Sequence, residues 1–109
     1  MTALDLAPLL HHLSEQKSHA AARFSATGDL SGPTRVEITA GSGHGFTVDE
    51  PESLGGGDAA ANPVEYALAA LASCQAITYR VWASLLGIRF DRLHVAAEGR
   101  IDLQGFFGS

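Results

Sequence analysis

One long apolar stretch, from Asn62 to Gly87, constrains the fold of this chain more than any other feature. Asn62 is a favourable N-cap, Pro63 suits the first helical position, and Gly87 suits the residue after the last turn. The sequence therefore predicts a helix over residues 63–86, roughly 36 Å long at about 1.5 Å per residue. Because this helix is apolar on almost every side between Tyr66 and Ala72, it should be covered all round. A chain of 109 residues offers little material for that cover, and we expect a partner subunit to supply it.

The other segments alternate between helical and strand periodicity, which indicates an α+β domain. Leucines spaced at i, i+3, i+4 and i+7 predict a short first helix, and runs of period two predict a β-meander and a later strand. We predict a single domain over residues 1–109, with a first helix at 5–20, a meander at 22–50, a Gly-rich loop at 51–61, the central helix at 63–86 and a strand at 89–103. The paired phenylalanines in the closing "GFFGS" need a cover, so we expect either that the domain is incomplete at its C-terminus or that a dimer buries these rings.

Net charge excludes two classes of partner. The formal charge is −5, with twelve acidic against seven basic residues, and the bases form no cluster. Nucleic acids and anionic membranes both reward clustered Lys and Arg, so we expect neither as a partner. Glu65, Gln75 and Arg80 interrupt the apolar run, and a charge near the centre of a bilayer is costly, so we expect a buried helix and not a membrane span.

The chain has one cysteine, Cys74, in the middle of the predicted central helix. A single cysteine excludes a disulfide within the chain and a Cys-rich metal site, and it fits a reducing compartment such as the cytoplasm. Two interpretations stay open: a small buried hydrophobe, or a reactive thiol. Reactivity needs the thiolate. The helix dipole favours a thiolate only within the first turn, and Cys74 lies beyond it.

A positive group from another element would therefore have to approach the sulfur. Arg35, on the polar face of the second predicted strand, is the first candidate for this positive group, and Arg23 is the second. The presence of both arginines is equally well explained by a strand face that is exposed to solvent. Glu65 lies in the first turn of the helix, where the dipole alone favours a carboxylate. A catalytic role for Glu65 would need it to point at the thiol or at an arginine.

Other motifs give no cofactor site. His12, Glu15 and His19 share a helix face but lack the HExxH spacing, and "LGGGD" is not followed by the Gly-Lys-Ser/Thr of a phosphate loop. We expect neither a metal nor an organic cofactor.

Three stretches together, "VDEPESLGGGDAAANP", "NPVEYALAALASC" and "EGRIDLQGFFG", resemble the OsmC/Ohr family of osmotically inducible and organic hydroperoxide resistance proteins. The sequence around Cys74 is closer to the OsmC-like branch of the family than to its peroxidases. The resemblance implies an OsmC-like α+β fold in which antiparallel sheet wraps a long central helix in an intertwined homodimer. It also implies that Cys74 attacks an organic hydroperoxide, that a second cysteine then forms a disulfide, and that a dithiol reductant reopens it. An Arg and a Glu keep the attacking cysteine ionised in the family.

The chain departs from that family pattern at two functional positions. The family's Glu directly follows the motif proline, where this chain has Val64, and Glu65 is one residue further on. No second cysteine is present to resolve an oxidised Cys74. If the protein is an enzyme, the resemblance implies a thiol peroxidase for organic hydroperoxides, with Cys74 as the nucleophile, Arg35 as the charge that stabilises its thiolate and Glu65 as the residue that orients Arg35. The alternatives are a non-catalytic small-molecule-binding or stress-related dimer with an inert buried cysteine, and a purely structural protein.

Overall fold

The computed structural model describes residues 4–16 and 20–108. Its elements are, in chain order, α1 Ala7–Glu15, β1 Ala26–Leu30, β2 Val36–Ala40, β3 Gly45–Val48, α2 Pro63–Leu86 and α3 Leu103–Phe106. A three-residue 3-10 turn, Glu52–Leu54, lies in the loop between β3 and α2. The combination of a three-strand antiparallel sheet with a long helix confirms the predicted α+β class.

The sheet is a simple meander in the order β1-β2-β3, as the period-two runs predict. The register places Ile38 of β2 opposite Gly28 of β1 and Phe46 of β3. A Cβ on Gly28 would lie 3.0 Å from the side chains of both Val36 and Ile38, so the absence of a side chain lets those two residues cover this part of β1.

Helix α2 has the bounds that its capping residues predict. Asn62 Oδ1 accepts a hydrogen bond from the backbone N–H of Glu65 at 2.9 Å, and Glu65 Oε1 accepts one from the N–H of Asn62 at 3.1 Å. This capping box satisfies two N–H groups at the helix start. At the other end Gly87 adopts φ 69°, a left-handed conformation that favours glycine, and its N–H reaches the carbonyls of Ala83 and Ser84.

Side-chain hydrogen bonds tie both ends of α2 to other parts of the described chain. Near its start, Tyr66 Oη donates to the Thr47 carbonyl at 2.7 Å, and the Tyr66 and Phe46 ring centroids are 4.9 Å apart. Near its end, Ser84 Oγ donates to the Leu4 carbonyl at 2.7 Å. The radius of gyration is 18.7 Å, against about 13 Å for a compact domain of this length. The chain therefore leaves most of α2 uncovered, and the cover that we expected is not provided by the chain itself.

A buried carboxylate fixes the Gly-rich loop that leads into α2. Asp49 is 3% exposed, and it accepts hydrogen bonds from the Thr34 hydroxyl and from the N–H groups of Glu50 at 2.8 Å and Ala59 at 3.1 Å. These donors lower the pKa of Asp49 below its ordinary value, with the Thr34 hydroxyl as the largest cause. A Cβ at Gly56 would meet the Glu50 carbonyl oxygen at 2.0 Å, so this loop conformation requires glycine there.

Two predicted elements differ in the structure. The first helix spans Ala7–Glu15 and not 5–20; Asp5 Oδ1 accepts a hydrogen bond from the Ala7 N–H at 3.1 Å, while residues 17–19 lie outside the described part. The predicted strand at 89–103 is absent from the described residues: positions 88–102 carry no regular structure, and α3 begins at Leu103. Alternation shows which face of a strand would be buried, but a strand also needs a neighbouring backbone to pair with, and here neither sheet edge pairs with this segment.

None of the helices in the described residues combines the length and the apolar character that crossing a membrane requires.

We predict that Asp49→Asn destabilises the fold in a pH-dependent way. Because the folded-state pKa of Asp49 lies below its ordinary value of 3.8, its stabilising effect is complete above that value and is lost as pH falls through the folded pKa. In urea unfolding the variant should have a lower midpoint than the wild type at pH 7, and this difference should shrink as pH falls below about 4.

Asp58→Asn is the matched control. Asp58 lies exposed in the same loop with φ 54°, a conformation that Asn tolerates well, so its midpoint should follow the wild type at every pH. If both variants lost the same amount of stability at every pH, the hydrogen bonds of the Asp49 carboxylate would not be what stabilises this loop.

Candidate active site

Cys74 lies in the middle of α2, and its residue is exposed. Its neighbours on the same helix face, Ala70, Leu71, Ile77 and Thr78, are exposed too. Thr78 Oγ1 donates to the Cys74 carbonyl at 2.8 Å, a local bond that involves the backbone and leaves the sulfur out. In the single chain the thiol thus belongs to an uncovered face of small and apolar residues, and it is accessible to a reagent.

Arg35 lies directly before the first residue of β2, one position outside the strand in which the sequence places it. Its Nε donates to Glu37 Oε1 at 2.7 Å. The other carboxylate oxygen, Glu37 Oε2, accepts a hydrogen bond from the Thr47 hydroxyl at 2.8 Å. The Thr47 bond and then the Arg35 bond lower the pKa of Glu37, so the pair is charged at neutral pH. Within one chain, the charge of Arg35 is therefore already paired.

Sequence reasoning missed Glu37. The signal was present, because residues two apart on a strand lie on the same face, and Arg35 and Glu37 are two apart in a run of period two. A positive and a negative side chain at that spacing predict an ion pair along the strand, and this reduces what Arg35 alone can offer to a thiol.

Glu65 is engaged in the capping box and points away from Cys74. The two residues are nine positions apart on α2, which is about 180° around the helix and roughly 14 Å along its axis. Among the described residues, no hydrogen bond or ion pair joins Cys74, Arg35 or Glu65 to one another. The structure of one chain thus presents the three predicted residues separately, and their shared catalytic role stays a prediction.

Comparison with known families places Cys74 and Glu65, but not Arg35, in a recognised region. A family model described as OsmC-like protein matches residues 55–109, from the Gly-rich loop through α2 and α3. No curated protein matches the chain. The family match covers just over half of the chain, including the helix on which the candidate thiol lies. The chain therefore belongs to the OsmC-like protein family.

Proposed function

We propose that this protein is a thiol-dependent reductase of organic hydroperoxides. The observation that carries the proposal is the accessible Cys74 thiol on the central helix, within the region that the family model matches. The small residues Ala67 and Ala70 leave room beside the sulfur for a substrate. A role in oxidative or osmotic stress defence, in the cytoplasm, is consistent with a free thiol that a reducing compartment preserves.

The chemistry balances as a two-electron reduction of the peroxide. The Cys74 thiolate attacks the distal oxygen of R–O–O–H, an S–O bond forms and the O–O bond breaks. The products are the cysteine sulfenic acid and the alkoxide R–O⁻, which takes a proton from water to become the alcohol R–OH. An external dithiol then attacks the sulfenic acid, releases water and forms a mixed disulfide. The second thiol of that reductant displaces Cys74 as a thiol and leaves the reductant as a disulfide.

The proposal requires that the active site is completed between two copies of the chain. Large apolar side chains on α2 are widely exposed, among them Ile77 at 63% and Trp82 at 57%. Packing two α2 helices together would bury this surface. Arg35 of one copy would then approach Cys74 of the other copy and favour its thiolate. Glu65, which faces away from Cys74 in its own chain, would likewise orient Arg35 only across this interface.

A non-catalytic, ligand-binding dimer is the second candidate. Val64 stands where the family's Glu is expected, Glu65 is held in the capping box, and the guanidinium of Arg35 is bonded to Glu37. These three observations favour a scaffold in which Cys74 only packs. Turnover and thiolate reactivity separate the two candidates.

The first functional prediction concerns Cys74. The wild-type chain should consume an organic hydroperoxide such as cumene hydroperoxide in the presence of a dithiol reductant, and Cys74→Ser should abolish this consumption because the hydroxyl cannot be oxidised in the same way. Ser73→Ala is the control, since Ser73 is the exposed neighbour whose hydroxyl bonds only the Ala70 carbonyl. Equal rates for wild type and Cys74→Ser would exclude the peroxidase.

The second prediction concerns the charge that activates the thiol. At pH 7, Arg35→Ala should slow alkylation of Cys74 by iodoacetamide about tenfold or more, because a nearby positive charge favours the ionised thiol by that order. Glu37→Gln should speed alkylation, because it leaves Arg35 without a negative partner. The double variant should match Arg35→Ala.

The behaviour of the double variant is the decisive comparison. If Glu37→Gln changes alkylation equally with and without Arg35, then Glu37 acts independently and Arg35 is not the activating group. Arg23→Ala tests the second candidate for the activating charge, and it should leave the rate unchanged if Arg35 is the activating group.

The third prediction concerns the dimer. Sedimentation equilibrium should give twice the chain mass of 11.4 kDa for the wild type, and Ile77→Asp should give a single chain mass, because a charge would be buried between apolar helices. Ser53→Asp adds the same charge in the exposed loop and should remain a dimer. A wild type that sediments as one chain would contradict the proposed interface.

A further inference from the structure

An apolar cavity of about 270 Å³ lies at the start of α2, on the side of the Gly-rich loop. Its apolar wall comes from the loop, from the first turn of α2 and from the chain around α3, and it consists of Leu54, Val64, Ile101, Leu103, Phe106 and Phe107. Three separate parts of the chain thus line one concave surface that is open to solvent, with Leu103 44% and Phe106 71% exposed. A mostly apolar cavity with a few polar groups is the usual form of a small-molecule site.

The polar part of the wall is formed by Thr34, Glu50 and Asn62. Thr34 already donates its hydroxyl to Asp49, and Asn62 Oδ1 already accepts from Glu65. Among the described residues, however, the Glu50 carboxylate and the Asn62 side-chain NH₂ have no hydrogen-bond partner. The cavity therefore retains one acceptor and one donor for a ligand.

The charge of this wall disfavours an anionic ligand. Among the residues that the structure describes, Glu50 is the only charged one that lines it. A helix N-terminus attracts anions, but at α2 the carboxylate of Glu65 already occupies that position in the capping box. A ligand head that both donates and accepts a hydrogen bond, and carries no charge, fits the two free partners best.

The size and place of the cavity define the ligand further. At about 30 Å³ for each water-sized atom, the volume holds roughly nine non-hydrogen atoms. Val64 in the wall lies ten residues before Cys74, which is roughly 15 Å along the helix axis. A small ligand bound here therefore does not reach the thiol of the same chain.

We propose that this cavity binds a small uncharged molecule with an apolar body and a single hydroxyl-type head, which donates to Glu50 and accepts from Asn62. The site goes beyond the peroxidase activity proposed above, since it uses neither Cys74 nor Arg35. It stands whether or not the protein turns over peroxide.

The test is a titration of the ¹⁵N-labelled full chain with 1-octanol, followed by amide NMR shifts. Binding should saturate, and the shifts should be largest at the residues that line the cavity. Octanoate, which has the same apolar body and an anionic head, should bind at least tenfold more weakly. Cys74→Ser should bind 1-octanol like the wild type, so a failed peroxidase assay does not bear on this site.

Two variants test the cavity itself. Leu103→Trp places a larger side chain in the wall and should weaken 1-octanol binding at least tenfold, while Ile88→Trp, at an exposed apolar position at the other end of α2, should not. Glu50→Gln removes the negative charge and should strengthen octanoate binding at least tenfold. If Leu103→Trp fails to fold, this second variant still tests whether the ligand binds in the cavity.

Three results would overturn the proposal. They are shifts spread without saturation over the exposed face of α2, wild-type affinity in a folded Leu103→Trp variant, and no gain in octanoate affinity for Glu50→Gln.

Discussion

The covering of α2 is the physical constraint on which the rest of this structure depends. A helix of 24 residues that is apolar on most sides is stable in water only when other surfaces remove those sides from solvent. Within the described chain, Val48 and Ala83 are the only apolar residues that are buried. The hydrophobic stabilisation of a single copy is correspondingly small, since it grows with the apolar area that is buried. Any stable form of the protein must therefore add cover along α2, and the residues around Cys74 lie within the surface to be covered.

The two halves of α2 have different surroundings. Its start is fixed by short-range polar bonds: Asp49 holds the Gly-rich loop, the capping box closes the first turn, and Tyr66 bonds the backbone of β3. These bonds lie close together and need no partner chain. Beyond Tyr66 the contacts of the helix are with the segment after it and with the start of the chain: the Arg80 guanidinium lies 5.9 Å from the Phe90 ring centroid, and Ser84 Oγ bonds the Leu4 carbonyl. The small apolar cavity lies at the fixed end, whereas the thiol lies in the uncovered middle.

The two proposed activities, ligand binding and peroxide reduction, lie on these two different parts of α2. The proposed binding cavity at the fixed end is lined by residues of the described chain. The proposed activation of Cys74 needs a positive group, and in the single chain Arg35 is paired with Glu37. The proposed catalysis would therefore depend on assembly, and experiments can test it separately from ligand binding at the cavity.

Local rules of sequence determined much of the fold. Asn62, Pro63 and Gly87 set the bounds of α2, and the period-two runs around Val36 and Phe46 set the meander, because capping and alternation act between residues that are near in sequence. The same rules failed at 89–103, where alternation was present but no strand was available to pair with it. For the site, sequence singled out Cys74 by its uniqueness and Arg35 and Glu65 by their charge. The Arg35–Glu37 pair and the orientation of Glu65 away from Cys74 follow from spacings of two and nine residues, so the sequence already carried both signals. Tertiary structure alone showed that Thr47 bonds Glu37 and that Leu54, Val64 and Phe106 line one cavity, because these relations depend on how segments distant in sequence meet in space.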